Sequence, residues 1–478
     1  MKYKVKLAAL SAMLCANAIA DPVYLPPAQN LTYGNSSNNQ SIMSSITNPA
    51  AAAAQLGNED SQFRFGILSS IGVGYEFGNV GQLYNTIDNA KNTITTPITT
   101  ADLQTKYLAA GCTTSCTPAQ SAIFSADIAN TINGSAAVAT VNTVLSQLQQ
   151  DGNVSVYGDV HVPLTPFVVT KKGLGGSIVL DANVSAIANM SFIADPLSIS
   201  PTTAGTIAST YATYVDPAGN NSAGTYTLPT IPNDSTLLVK AAVVGEVGLG
   251  YSRPVLRRET GDLTAGVRAK YYKVKLVRDA QKLNTSNGSQ NTFNASKSYT
   301  SSSGVGLDVG TLWTAKRYRL GAWVNNLNTP SFKYNSITAA DLTAAGYTNS
   351  AIISQLTADE TYKMKPQLEM EGAFYSESQN WVLNAGLDGN AVPDPVGRDF
   401  QWATLSAAYA TNSWWIPGIR LGYRTNLAGS KLSYATGGLT LFKALSLDVA
   451  YGLDSITDKN GKKIPRSAMI NLGIQMTF

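Results

Sequence analysis

The chain holds one histidine, His161, and Asp159 stands two residues before it. In a strand that spacing projects both side chains from one face. There a carboxylate could orient an imidazole, and the imidazole could draw a proton from a serine hydroxyl. No serine is singled out as the partner, so His161 reads as an interior-facing histidine and no enzyme is expected. Asp394 with Asp399, and Asp454 with Asp458, could offer oxygens to Ca²⁺. Neither pair sits in a dense Asp/Asn repeat, and both read as solvated turn residues. Cys112 and Cys116 have no histidine or further cysteine close by, which argues against zinc. In an oxidising compartment they suit a small disulfide loop. Glycines recur singly within alternating segments, so no phosphate loop is present. A net charge of +4, scattered along the chain, gives no nucleic-acid footprint. No cofactor and no metal are expected.

The segments that carry these residues are legible from the ends inward. Lys2, Lys4 and Lys6 precede an apolar stretch, Leu7 to Ala16, and Ala18-Ile19-Ala20 offers a small-x-small cleavage site. Residues 1–20 therefore read as a signal peptide, with the mature chain starting near Asp21. Cys15 follows Leu14 rather than a small residue, which favours simple cleavage over lipid attachment. No later segment supplies about 18 uncharged apolar residues, so no transmembrane helix is expected. Charged residues are 13% of the chain, low for a soluble domain, while hydrophobic residues are an ordinary 44%. At the other end, Ile470, Leu472, Ile474, Met476 and Phe478 alternate with Asn471, Gly473, Gln475 and Thr477. One face suits lipid, the other suits a lumen, and the strand closes on an aromatic, as bacterial outer-membrane barrels do.

Alternating segments recur at 61–77, 153–170, 176–190, 236–251, 263–277, 303–314, 318–326, 365–377, 380–388, 400–410, 418–426, 433–442, 445–453 and 467–478. An even count is what a barrel with both ends in the periplasm requires. The connections alternate long and short, and placing Phe478 in the periplasm puts every long one outside the cell. Asp448, alternating with Leu447 and Val449, must then face the lumen. Gly304, Gly306, Gly310 and Gly422 share inner faces and leave room for a plug or for side chains from across the wall. Tyr251, Tyr271, Trp381, Trp402, Trp414, Trp415 and Tyr451 lie near strand ends and suit aromatic girdles. Residues 120–150 have helical spacing, and 338–360 suggests a helical hairpin, Ala339–Ala345 and Ser350–Thr357. The expected fold is all-β: a transmembrane antiparallel β-barrel of about 14 strands over 61–478. Residues 21–60 form an N-terminal lumenal plug, and short helices sit in the extracellular loops.

Several stretches resemble the FadL-like outer-membrane barrels and, within them, the TraF-type conjugal transfer barrel family. Asn48-Pro49-Ala50 is similar to the NPA element of that superfamily's N-terminal hatch. Val247 to Tyr251, Ala265 to Tyr272, Val305 to Gly310 and Leu421 to Asn426 are similar in wording to its barrel strands, and Phe478 to its terminus. Residues 78–152 match nothing in it, and no fatty-acid site carries over residue by residue. The resemblance implies passage of hydrophobic small molecules, such as long-chain fatty acids, across the outer membrane of a Gram-negative bacterium. The alternative it implies is a structural component of a conjugal transfer apparatus, without transport. Implied partners are outer-membrane lipid, the barrel-assembly machinery, and either a hydrophobic ligand or envelope transfer-apparatus proteins. Deleting Phe478 is expected to lower the yield of heat-modifiable barrel at the cell surface; unchanged surface levels would contradict the terminal-strand reading.

Overall fold

The computed structural model of the chain describes residues 31–32, 41–55, 61–80, 98–113, 115–213, 233–283, 299–411, 413–457 and 461–477. The expected signal peptide, residues 21–30, 33–40 and 56–60 of the expected plug, Asp458 and Phe478 lie outside them. The described strands close into one antiparallel barrel with fourteen wall positions. They are β1 (Ser61–Phe77), β2 (Val154–His161 continued by Phe167–Lys171), β3 (Gly176–Ile193), β4 (Thr236–Arg258), β5 (Gly261–Lys282) and β6 (Tyr299–Thr314). Then come β7 (Tyr318–Asn325), β8 (Gln367–Tyr375), β9 (Trp381–Asp388), β10 (Trp402–Tyr409), β11 (Gly418–Asn426), β12 (Ser433–Leu441), β13 (Leu445–Gly452) and β14 (Ser467–Thr477). Each pairs with its sequence neighbour, and β14 closes on β1 from Ser467 opposite Glu76 to Thr477 opposite Arg64. Leu249, Val305, Leu320, Leu383, Leu405 and Leu421 are all more than half exposed on the outer wall. Their burial comes from lipid.

One expected strand is corrected. The segment 153–170 is not continuous: β2 breaks at 162–166, where Pro163 and Pro166 have no N–H to give the ladder and Leu164 turns to φ 67°. The facing part of β1 bulges between Gly66 and Ile71.

Connections sort by length to opposite ends of the barrel. The end carrying residues 78–153, 194–235 and 326–366 also carries the helices. These are α2 (Thr100–Ala109), α3 (Pro118–Asn133), α4 (Ala136–Asp151), α5 (Pro201–Ala212), α6 (Ala339–Ala344) and α7 (Ser350–Thr357), α1 being a turn in the plug (Ser44–Thr47). Where 120–150 suggested helical character, two helices meet at Gly134-Ser135. Thr99 and Thr117 cap α2 and α3 with reciprocal capping boxes, and Ser135 and Ser200 cap α4 and α5. Leu103, Tyr107, Phe124, Ile128, Ile132, Val138, Ile207 and Tyr211 bury one another in a core separate from the barrel. The Cys112–Cys116 disulfide ties the α2–α3 turn at its edge.

The α6–α7 hairpin has its own small core, Leu342, Tyr347, Ile352 and Leu356 against Ile193. Asp234, fully buried, holds it to the barrel rim. Its carboxylate accepts the Thr348 and Asn349 N–H groups and the Lys282 ammonium. Burial alone would raise the Asp234 pKa; those N–H groups and Lys282 outweigh it and hold it below the usual carboxylate value. A depressed folded pKa contributes stability that is complete above the unfolded value, near ~4, and is lost as pH falls through the lower folded value. Cleavage of 338–357 by an acid protease is therefore expected to accelerate as pH drops from about 5 to about 2. Asp234→Ala, leaving buried donors unmet at a cost of about 1–3 kcal/mol, should open the hairpin already at the upper end and remove the pH dependence. An unchanged acid-dependent rise in the variant would rule the clamp out.

Candidate functional site

The inner wall gathers charge where the outer wall is apolar, because alternate residues of a strand face opposite ways. Arg268 on β5 follows Val267, which is half exposed outside. Its guanidinium reaches Asp181 on β3 (Nε to Oδ1, 3.0 Å), Glu246 on β4 and Asp308 on β6. Lys270 completes the cluster at 2.8 Å from Asp308. Four neighbouring strands are thus tied by ion pairs inside the wall. A β-carbon at Gly248, which pairs with Asp181, would lie 2.4 Å from that carboxylate and 2.6 Å from Arg268 Nε. Only glycine leaves the ion pair its space. Across the barrel, Arg420 binds Asp448 through Nε at 3.0 Å and a terminal nitrogen at 2.7 Å, with Ser446 and Thr440 beside it. Asp448 is fully buried inside, as its alternation requires.

Residues 41–55 lie within this lumen. Asn48, Pro49 and Ala50 are buried against the inner faces of β5 and β6. Asn48 donates from Nδ2 to the Thr311 carbonyl at 3.0 Å, and its Oδ1 accepts the Ala50 N–H. Ala53 donates to Ser252 Oγ, Ser177 donates to the Ala52 carbonyl, and Arg268 donates to the Ile46 carbonyl at 3.3 Å. A β-carbon on Gly266 would sit 2.1 Å from the Pro49 carbonyl oxygen, and one on Gly310 2.3 Å from Asn48 Oδ1. Gly266 of β5 and Gly310 of β6 form the recess that seats Asn48-Pro49-Ala50. Thr32 donates to Asp448 at 3.1 Å and so reaches the second charge cluster.

Above this segment the lumen holds two cavities, of about 520 Å³ and 460 Å³. Both touch Ile46, Thr47, Val244, Glu246 and Arg268, so plug and charge hub stand between them. Their roof is the connection 389–401. That connection is a correction: it turns inward, and Asp394, far from a solvated tip, accepts the Val396 and Arg398 N–H groups and pairs with Arg398 Nε at 3.3 Å. Burial nonetheless pushes the Asp394 carboxyl above its usual pKa. Trp402 also departs from expectation. It faces the lumen, because it shares a face with buried Ser406 and Ala408, whereas Tyr271, Trp381, Trp414, Trp415 and Tyr451 are exposed outside.

His161 lines the larger cavity, is 5% exposed, and has no hydrogen-bond partner on either ring nitrogen. Asp159 accepts from Ser70 at 3.2 Å, and Ser70 accepts from Asn471 at 3.0 Å. Serine, histidine and carboxylate are not brought into one relay. On β14, Ile470 is 45% exposed, Leu472 and Ile474 half-buried on the same outer face, and Asn471 buried inside. Met476 pairs in register with Phe65. The hub residues Arg268, Asp181, Glu246 and Asp308 were missed from sequence. Their signal was present: a lone charge in a strand between outward apolar neighbours, which inside a membrane marks a paired, interior position.

The family model described as F plasmid transfer operon, TraF, protein matches residues 45–388, from the plug to the end of β9. The chain belongs to this family. No curated protein sequence matches it. Solved structures similar to this TraF-family barrel include a TodX monoaromatic hydrocarbon channel deltaS2 mutant, 12% identical, covering 95% of this chain and 98% of the other, with a TM-score of 0.42. The Pseudomonas putida toluene transporter TodX is 11% identical over 93% and 96%, TM-score 0.37. A Pseudomonas aeruginosa FadL homologue is 11% identical over the same shares, TM-score 0.35.

The seat of the plug yields a direct test. Gly266→Ala places a β-carbon against plug backbone and is expected to make residues 41–55 accessible to protease while the barrel stays heat-modifiable. Gly437→Ala, whose nearest neighbours are 3.9 Å away, should change neither. Equal protection in both variants would show that the recess does not hold the plug.

Proposed function

We propose that this TraF-family barrel conducts hydrophobic small molecules, of the long-chain fatty acid kind, across the outer membrane, with residues 21–60 as its movable plug. The observation that supports this reading is the pair of cavities meeting at Ile46 and Thr47, inside a closed wall and above a segment held by a handful of side-chain hydrogen bonds. A molecule entering from the looped end reaches the plug before it reaches the periplasm. Displacing Ile46 and Thr47 joins the cavities, and the break in β2 offers a weak point for sideways release into lipid. A second reading has its own support: the family match, together with a helical cap built on a core separate from the barrel, suits an envelope component of a conjugal transfer apparatus.

Reconstitution of the purified mature chain with a radiolabelled long-chain fatty acid, with and without residues 21–60, separates the two. Saturable binding or passage that depends on the segment is expected for a gated channel. A folded, heat-modifiable barrel that binds nothing, and that co-purifies with envelope proteins needed for DNA transfer, would favour the second reading.

A further inference from the structure

Most lumenal charges are neutralised in pairs, but Arg424 is not. It sits on the inner face of β11, between Thr404 of β10 and Tyr434 of β12 in register. Its guanidinium lies over the Trp402 ring at 3.8 Å from the centroid. Among the described residues it has no carboxylate within ion-pair distance, and its Nε is buried without a hydrogen-bond partner. Asp388 is the acidic group in its electrostatic reach. One Asp388 oxygen is engaged by the Trp402 N–H at 2.7 Å and by Gln367 at 3.0 Å. A half-buried guanidinium whose Nε is shut off without a partner costs free energy until an acceptor meets it.

The surroundings define which anion fits. Trp402 stacks on Phe400, and Arg398 lies over the Phe400 ring at 5.1 Å from its centroid. Arg398 is matched by Asp394 and Glu76, so this side repels a second negative charge. Near Arg424, the buried Tyr157 hydroxyl approaches Ser467 without a well-formed hydrogen bond and can donate to an acceptor. Leu31 and Met469 pack against the same group of rings, and Met43 lies along the same cavity toward the plug. The Arg424 fork, the Tyr157 hydroxyl and the apolar stretch from Met469 to Met43, within a cavity of about 520 Å³, match a single carboxylate with an apolar body.

We propose that Arg424, stacked on Trp402, is the specificity-determining residue of the lumen. It receives the carboxylate of a monoanionic amphiphile whose apolar part extends past Met469 toward Met43. This rests on the reading of the lumen as a passage for hydrophobic molecules, and it adds selection for an acid over its neutral counterpart.

The test compares 11-(dansylamino)undecanoic acid with its methyl ester, by equilibrium fluorescence on the full mature chain in detergent. The wild type is expected to bind the acid roughly tenfold or more tighter than the ester, the scale of one charge-assisted hydrogen bond. Arg424→Gln should bring the acid down to the ester's affinity without weakening the ester. Arg424→Lys should retain part of the preference, having charge without the fork. Heat-modifiability reports that each variant is folded, and the wild-type comparison needs no variant at all. Equal binding of acid and ester by the wild type, or an acid preference that survives Arg424→Gln, would overturn the role of Arg424 while leaving a hydrophobic passage intact. Binding of neither probe would overturn both.

Discussion

In a membrane-spanning wall every backbone N–H and C=O must find its partner within the wall, and the pairing of β14 with β1 makes that possible. Without that seam the sheet would have two unpaired edges in lipid, so the first and last strands are fixed neighbours however far apart in sequence. Closure divides each strand into an outer set that must be apolar and an inner set that is free to be polar. The inner set then has its own problem. Charges such as Asp181, Asp308 and Asp448 are fully removed from solvent, and they are tolerable because Arg268, Lys270 and Arg420 meet them across neighbouring strands. Removing one member of such a pair is costed at about 3–5 kcal/mol, since the other is left buried alone.

Glycine connects wall and contents. Gly248 and Gly438 clear space for Arg268–Asp181 and Arg420–Asp448, and Gly266 and Gly310 clear it for Pro49 and Asn48. The same residue type therefore sets where wall charges pair and where the plug touches.

Much of this was visible before any coordinates. Period-two alternation located the wall strands because lipid punishes a misplaced charge on one face, and the sorting of long and short connections followed from closure. Short-range chemistry was visible too, in the α6–α7 hairpin. What escaped was non-local. Arg268 meets partners 87, 22 and 40 residues away, and nothing in the spacing selects those partners over others. Trp402 looked like a girdle ring because strand ends were judged by position, whereas its face is decided by parity with Ser406 and Ala408. The break in β2 was written in Pro163 and Pro166, but apolar alternation on both sides masked it. The connection 389–401 carried ordinary turn residues, and what draws it inward is non-local: Arg398 reaching Glu76 and Tyr334 donating to the Pro395 carbonyl, with Asp394 capping the turn.

The two parts of the molecule differ in what holds them. The barrel is one hydrogen-bonded circuit, so opening it anywhere exposes strand edges to lipid. The described plug is attached through side-chain bonds that include those of Thr32, Asn48, Ser177, Ser252 and Arg268, and through buried apolar contacts such as Ile42, Met43 and Ala52 against Val168 and Val179. Its contacts are side-chain bonds and apolar packing rather than a strand ladder, so they can open without breaking the wall's pairing. Arg268 ties that segment to the wall, because the guanidinium that donates to three carboxylates also donates to the Ile46 carbonyl. Releasing Ile46 leaves Arg268 fully satisfied by Asp181, Glu246 and Asp308, so the wall bears little penalty when the plug departs. The contents of the barrel and its wall are thus held by different means, the one by side chains and packing, the other by a closed backbone ladder.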